Sequence, residues 1–238
     1  MQFDFIVDIG NSNFKVATLQ NNEIISTNRF EKNDFQTLIQ LIKGSSIILS
    51  NVANSEFEKL LKENCNLIFT LNNQIKFPFH SEYKTMDTWG MDRACNIAAA
   101  QNKFPNQNSL VIDIGTCIKF DIISKTNTYL GGSISPGIRL RFESLASNTA
   151  KLPHLNPKHE FNLIGKSTSE SIMNGVLNGC YREILGFIKQ YEEKFDDLKI
   201  IITGGDAFYF DFKEKSNIFA DENLTLKGLH QLYLFNVG

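Results

Sequence analysis

The sequence predicts an α/β protein made of two related halves, each a set of strands with helices against it, and three features predict it. The tripeptide Asp-Ile-Gly occurs at Asp8-Ile9-Gly10 and at Asp113-Ile114-Gly115, each time closing one apolar run and opening another. Around it, the segments from Phe3 to Ala17 and from Asn108 to Ile122 align without a gap, at a constant offset of 105 residues. Finally, runs of β-branched residues alternate with helix-like stretches in both halves, the pattern of sheets that need helices to cover them. For 238 residues, a prior of about 150 residues per domain allows one large or two small domains. The repeat favours two, 1–107 and 108–238, divided in the polar loop Asn102 to Asn108 that contains Pro105.

Taken in order, each copy of the repeat reads as a strand, a tight turn with a glycine free to take positive φ, and a second strand. In the first half a polar turn at Asn21-Asn22-Glu23 leads to a strand at Ile24 to Phe30, then to a helix carrying Phe35, Leu38, Ile39 and Ile42. Ser45 to Asn51 is a short buried strand, and Asn54 or Ser55 is placed to cap the helix of Phe57, Leu60 and Leu61. The alanine-rich run from Ala94 to Ala100 is a strong helix former. Asp92 and Arg93 therefore fall in a first helical turn, with Thr88 or Gly90 near the cap. In the second half, Ser171 to Phe195 is a long helix with glycines at 175, 179 and 186. Each interior glycine costs about 1 kcal/mol relative to alanine, which either a close helix contact or a tolerant core helix explains. The strand Leu198 to Thr203 follows and opens into Gly204-Gly205-Asp206.

Composition narrows the functional classes. A hydrophobic fraction of 42% and a charged fraction of 21% are those of a globular chain with a core. Net charge is −2 and no segment is densely basic, so a nucleic-acid surface has no electrostatic support. The start lacks the basic and apolar regions of an export signal, and no stretch of about 18 apolar residues occurs. The expectation is a soluble cytoplasmic protein with no membrane partner. Cys65, Cys95, Cys117 and Cys180 lack the spacing of a zinc site or a disulfide scaffold and read as reduced and mostly buried. His154 and His159 are too far apart for neighbouring positions on one helix face. Walker, dinucleotide, zincin and nucleophile-elbow motifs do not occur.

The chemistry concentrates at three places. A carboxylate and small polar residues sit at the tip of each hairpin, and two such tips facing each other would hold a polyanion and its metal; ordinary turn formation explains an isolated Asp equally well. Gly10-Asn11-Ser12 offers amides to phosphate oxygens, Lys15 adds positive charge, and Asp8 can orient hydrated magnesium. Gly115-Thr116 can hold terminal phosphates, Asp113 a further cation, and Gly204-Gly205 admits a nucleotide close to the backbone. The third place is Gly90-Met91-Asp92-Arg93. A helix N-terminus keeps Asp92 ionised, so it can accept the proton of an alcohol attacking phosphorus while Arg93 holds a substrate carbonyl or carboxylate. Alternatively, Asp92 only complements the helix dipole and Arg93 makes a surface pair.

The order of these motifs, Asp-x-Gly-Asn-Ser-x-x-Lys, Gly-x-Asp-Arg, Asp-x-Gly-Thr, Gly-Gly-x-Ile-x-Pro-Gly and Thr-Gly-Gly-Asp, resembles that of the type III pantothenate kinases from Asp8 to Asp206. The resemblance implies two duplicated ribonuclease-H-like domains of the actin-like ATPase kind, with mixed sheets flanked by helices. It implies ATP-dependent phosphorylation of pantothenate, the first step towards coenzyme A. Asp8, Ile9, Gly10, Asn11, Ser12, Asn13, Phe14 and Lys15 would form the first phosphate loop, with Asp8 guiding magnesium. Gly115, Thr116, Gly204 and Gly205 would contact ATP, and Asp113 would bind potassium or ammonium. Tyr83, Gly90, Met91, Asp92, Arg93 and Thr168 would bind pantothenate, with Asp92 as general base. It further implies a homodimer with a shared active site, to which Thr168, the stretch Gly131 to Gly137 and the glycine-bearing helix would belong. Met86, Asp87 and Trp89 depart from the family pattern beside the pocket. A kinase of another small hydroxy compound, or a regulator on the same fold, are the rival readings.

Overall fold

The apolar run Phe-Ile-Val-Asp-Ile, buried on both faces at Ile6 and Val7, forms β1 (Phe5–Ile9), and the chain returns antiparallel as β2 (Asn13–Gln20) with Asp8 opposite Lys15. The structure, a computed structural model, describes residues 3–10, 13–51, 55–72, 74–212 and 216–237. Asn21 and Asn22 take φ of 50° and 65°, the left-handed pair that a two-residue hairpin turn requires, and β3 (Glu23–Glu31) runs back along β2. Next come α1 (Phe35–Ile42), β4 (Ser46–Asn51), α2 (Ser55–Asn64) and β5 (Leu67–Thr70). β4 lies parallel to β1, and β5 parallel to β4, so the sheet order is β3-β2-β1-β4-β5. Central β1 and β4 bury Ile6, Val7, Ile9, Ile47, Ile48 and Leu49 completely, each worth about 1.5–3 kcal/mol of apolar transfer. One face packs on Phe35, Leu38 and Ile42 of α1 and on Leu61 of α2, with Phe14 edge-on to Phe35 and Phe57 at 5.5 and 5.4 Å. The expected cap at Asn54 lies outside the described residues, as does the side chain of Ser55.

Beyond β6 (His80–Ser81), α3 (Met91–Lys103) forms with Gly90 as its N-cap, at φ −64°, and buries nine side chains from Met91 to Ala100. The second repeat follows: β7 (Ser109–Ile114), antiparallel β8 (Cys117–Ile123) with Lys119 opposite Asp113, then β9 (Thr128–Pro136) and α4 (Ile138–Ser147). Next are α5 (Thr168–Lys194), β10 (Lys199–Thr203) parallel to β7, β11 (Ile218–Ala220) parallel to β10, and α6 (Leu224–Val237). The order β11-β10-β7-β8-β9 gives a second mixed sheet.

Contacts group residues 1–106, 126–130 and 223–238 into one unit and 107–125 with 131–222 into another. In this grouping α6 goes with the first unit, because it packs on α3. Its residue Gly228 makes this possible: a Cβ there would lie 1.7 Å from the Cys95 carbonyl oxygen.

Further expectations change. The repeats do not align without a gap. The first ladder closes at Ile9 and Phe14, the second at Ile114 and Ile118, so the second turn is one residue shorter. Lys15 corresponds to Lys119, not to Phe120. Neither Gly10 nor Gly115 adopts the left-handed φ expected of it; among the described glycines, 44, 131 and 204 do. The α5 helix begins at Thr168, earlier than Ser171, because Ser167 accepts a hydrogen bond from the Glu170 amide at 3.2 Å while Glu170 accepts from the Lys166 amide at 2.6 Å. A side-chain N-cap of this kind is worth about 1 kcal/mol. Among the described residues its glycines meet no close helix: a Cβ at Gly175 or Gly186 would find nothing within 4 Å, and one at Gly179 only Arg141 at 4.0 Å.

Candidate active site

In the first unit, Asp8 stands near the carboxyl end of β1, and Ser50 occupies the register position beside it on parallel β4. Directly paired residues share a sheet face. Ser50 is fully buried and its Oγ has no hydrogen-bond partner. A half-exposed carboxylate beside an unsatisfied hydroxyl suits a cation that keeps most of its own water, as magnesium does. The neighbouring Ile9 and Phe14 are 0% exposed and belong to the core under the hairpin. Asn11 and Ser12 lie outside the described residues.

Asp92 sits in the first turn of α3, where its Oδ1 accepts from the Arg93 amide at 2.9 Å. Gly90 is required here by space and not by φ: a Cβ would approach that same oxygen to 2.5 Å. One turn on, the Cys95 thiol is pushed well above its usual range by burial first, then by the negative charges of Asp8 and of Asp92. Both carboxylates therefore act on one buried atom, which brings the hairpin Asp and the helix-start Asp into one neighbourhood.

Arg93 is 4% exposed. Its Nη2 donates to Tyr129 Oη at 2.8 Å and its Nη1 to Tyr83 Oη at 3.4 Å, with the guanidinium 5.3 Å from the Tyr83 ring centre. Trp89 stacks on Tyr129 at 4.6 Å and 24°, and touches Tyr83, Phe77 and Phe79. Arg93 is no surface residue. It is a buried cation in an aromatic box, with Trp89 as part of the packing beneath it. A planar fork held this way suits bidentate capture of a carboxylate or carbonyl.

The second unit repeats the arrangement with differences. Asp113 lies at the carboxyl end of β7 with Thr203 beside it on parallel β10. Thr203 is 1% exposed and its Oγ1 has no partner, the counterpart of Ser50. Lys119 Nζ donates to Asp113 Oδ2 at 2.8 Å. Gly204 takes φ +98°, and a Cβ there would come within 2.6 Å of Asp113 Oδ1 and 2.2 Å of the Ile114 carbonyl. The turn itself is braced by Gly137, whose amide donates to the Thr116 carbonyl at 3.0 Å and whose absent Cβ would strike Gly115 O at 2.0 Å. Thr116 is left exposed at the tip. These amides and hydroxyls can face phosphate oxygens at the carboxyl ends of strands, where open α/β sheets bind ligands.

Thr168 is the first residue of α5 and lines a groove of about 890 Å³ with Leu140, Leu145, Leu152, Ile172 and Val176. It belongs to the second unit, whereas Tyr83 to Arg93 belong to the first. Among the described residues no group of three His, Cys, Asp or Glu is placed to hold a metal ion, and no helix is long and apolar enough to cross a membrane. Sequence reasoning missed Tyr129, Ser50 and Lys119. Lys119 was recoverable by allowing one gap in the repeat; Tyr129 carried no local signal.

Two mixed sheets flanked by helices, each presenting an acidic hairpin, define a chain of the actin-like and sugar-kinase-like ATPase fold. A solved structure described as an N-acetylmannosamine kinase from Listeria monocytogenes superposes with a TM-score of 0.52 at 14% identity over all of both chains. One from Campylobacter jejuni, described as a Baf family transcriptional activator, reaches 0.65 at 24% identity over 98% of each. The type III pantothenate kinase family model matches residues 5–190. The type III pantothenate kinase of Christiangramia forsetii is 42% identical over 242 residues, covering 98% of each chain. The chain belongs to the type III pantothenate kinase family and is a kinase, a phosphotransferase.

Proposed function

We propose that the chain transfers the γ-phosphoryl group of ATP to the primary hydroxyl of pantothenate, giving 4'-phosphopantothenate, the first step of coenzyme A biosynthesis, in the cytoplasm. The single observation that carries this reading is the match of residues 5–190 to the type III pantothenate kinase family model, with the Asp8 hairpin and the Asp92 helix start both present in that span. Family membership supports the substrate.

Phosphoryl transfer asks a protein mainly for alignment and charge neutralisation. Asp92 acts as general base, taking the proton of the alcohol as it attacks phosphorus, and Gly90 leaves room for its carboxylate. Arg93, held by Tyr129 and Tyr83, engages the substrate's carboxylate or carbonyl. Met91 is 9% exposed, so its share in the pocket is through the backbone. Residues 8–15 form the first phosphate loop, with Lys15 contributing charge, and Gly115 and Thr116 the second. Gly204 and Gly205 admit the nucleotide to the backbone. When bound, magnesium neutralises triphosphate charge; Asp8 would hold it through water, and Ser50 is a donor free for that water. A homodimer is part of the proposal, with Thr168 serving the shared site. Leu163 and Ile164, 86% and 74% exposed, and the unfilled space over Gly175 and Gly186 support a second copy against the α5 side of the second unit.

A substrate panel in a coupled ADP assay tests the assignment. Pantothenate should be preferred over sugars and other small hydroxy compounds by at least about a hundredfold in kcat/KM, the discrimination that specific hydrogen-bonding pockets reach. Preference for a sugar would replace pantothenate, and no substrate-dependent ATP consumption would favour a regulator.

A further inference from the structure

The resemblance assigns potassium or ammonium to Asp113, and the residues around that carboxylate do not fit a free ion. Oδ2 already accepts from Lys119 Nζ at 2.8 Å. Oδ1 lies beside Gly204, where only a glycine fits, since an added Cβ would come within 2.6 Å of that oxygen. The Lys119 and Asp113 side chains are 18% and 16% exposed, so the pair is far less screened than a surface ion pair. The pairing is also built into the fold, because β7 and β8 place Lys119 directly across from Asp113, just as β1 and β2 place Lys15 across from Asp8.

We propose that Lys119 is a tethered monovalent cation: its ammonium group supplies, within the chain, the charge that a free potassium or ammonium ion would supply at Asp113, and the enzyme works without either ion. The chemistry is conservative. A lysine head group is a substituted ammonium, a compact point charge with three donors, and it reaches the same carboxylate with no loss of a free ion's translational freedom. The inference rests on reading the second hairpin as a phosphate loop. Lys119 acts through Asp113, as a positioning residue.

The test compares the wild-type protein and Lys119→Ala in buffers whose only other cations are magnesium and tetramethylammonium, then with potassium or ammonium chloride at matched ionic strength. Three readouts are taken: pantothenate-dependent ADP release, ATP affinity by calorimetry, and melting temperature. Wild-type values should change less than about twofold on adding potassium. Lys119→Ala should lose at least about tenfold in turnover and ATP affinity, because a mostly buried carboxylate is left uncompensated, and should regain most of it with potassium or ammonium but not with tetramethylammonium. Its melting temperature should rise with potassium while that of the wild type does not. Stimulation of the wild type by potassium of about tenfold or more, or a variant indifferent to every cation, overturns the proposal. If the wild type turns over no pantothenate in any salt, the kinase reading fails instead. The melting temperatures still decide the role of Lys119: a potassium response confined to the variant upholds it, and equal responses overturn it.

Discussion

Arg93 shows how a residue legible in sequence gets its role from one that is not. Gly90, Asp92 and Arg93 stand together in the chain, and the helix that follows them fixes their placement, so short-range reasoning reaches them. Tyr129, the strongest partner of the guanidinium, lies 36 residues away and arrives on a strand that no local pattern marks as functional. Trp89, a departure from the family pattern, turns out to be 3% exposed and stacked beneath that tyrosine. Tyr129→Phe keeps the stack and removes only the hydroxyl. Hydrogen bonds to charged groups are worth about 1.5–3 kcal/mol. The variant should therefore raise KM for pantothenate by about tenfold or more and leave kcat within about threefold, in steady-state assays. An unchanged KM would mean that Arg93 is held without it.

At the scale of elements, strands were easier to foresee than the helices that close the layers. β1, β4, β7 and β10 are dense β-branched runs bounded by polar turns, and they occur where the sequence put them. α6 scatters Thr225, Lys227, His230, Gln231 and Asn236 among its apolar residues, which blurs its period, and its place against α3 depends on Gly228 rather than on any pattern of its own. Gly228→Ala should force the Cys95 carbonyl aside. Because backbone cannot swing away as a side-chain tip can, a loss of about 3 kcal/mol or more is expected, read as a lowered denaturation midpoint. Gly175→Ala is the contrast: with nothing within 4 Å of the new methyl, it should gain up to about 1 kcal/mol in a lone chain. A loss there would support a partner helix packed on α5. Equal effects at both glycines would contradict the packing described.

For the whole molecule, the duplication was the most legible property, because a carboxylate at a hairpin tip leaves the same trace twice. What the sequence blurred was the one-residue difference between the two turns, which hid the correspondence of Lys15 with Lys119. It also blurred the return of the C-terminal helix to the first unit, a tertiary event with no local signature. The parallel pairs Asp8 with Ser50 and Asp113 with Thr203 could be recognised only once the register of non-adjacent strands was known. Together these features describe one device used twice, in which a strand-end carboxylate is flanked by a cross-strand lysine and an unsatisfied hydroxyl. The first copy has the helix-start carboxylate of Asp92 in the same unit, and on that carboxylate the proposed reaction depends. It is tested most directly by Asp92→Asn, with 4'-phosphopantothenate formed in a single turnover and the binding of ATP and pantothenate measured by calorimetry. The account predicts binding of both ligands within about threefold of wild type and product formation slowed by about a thousandfold, within the range of general-base contributions. Product formation near the wild-type rate would contradict it.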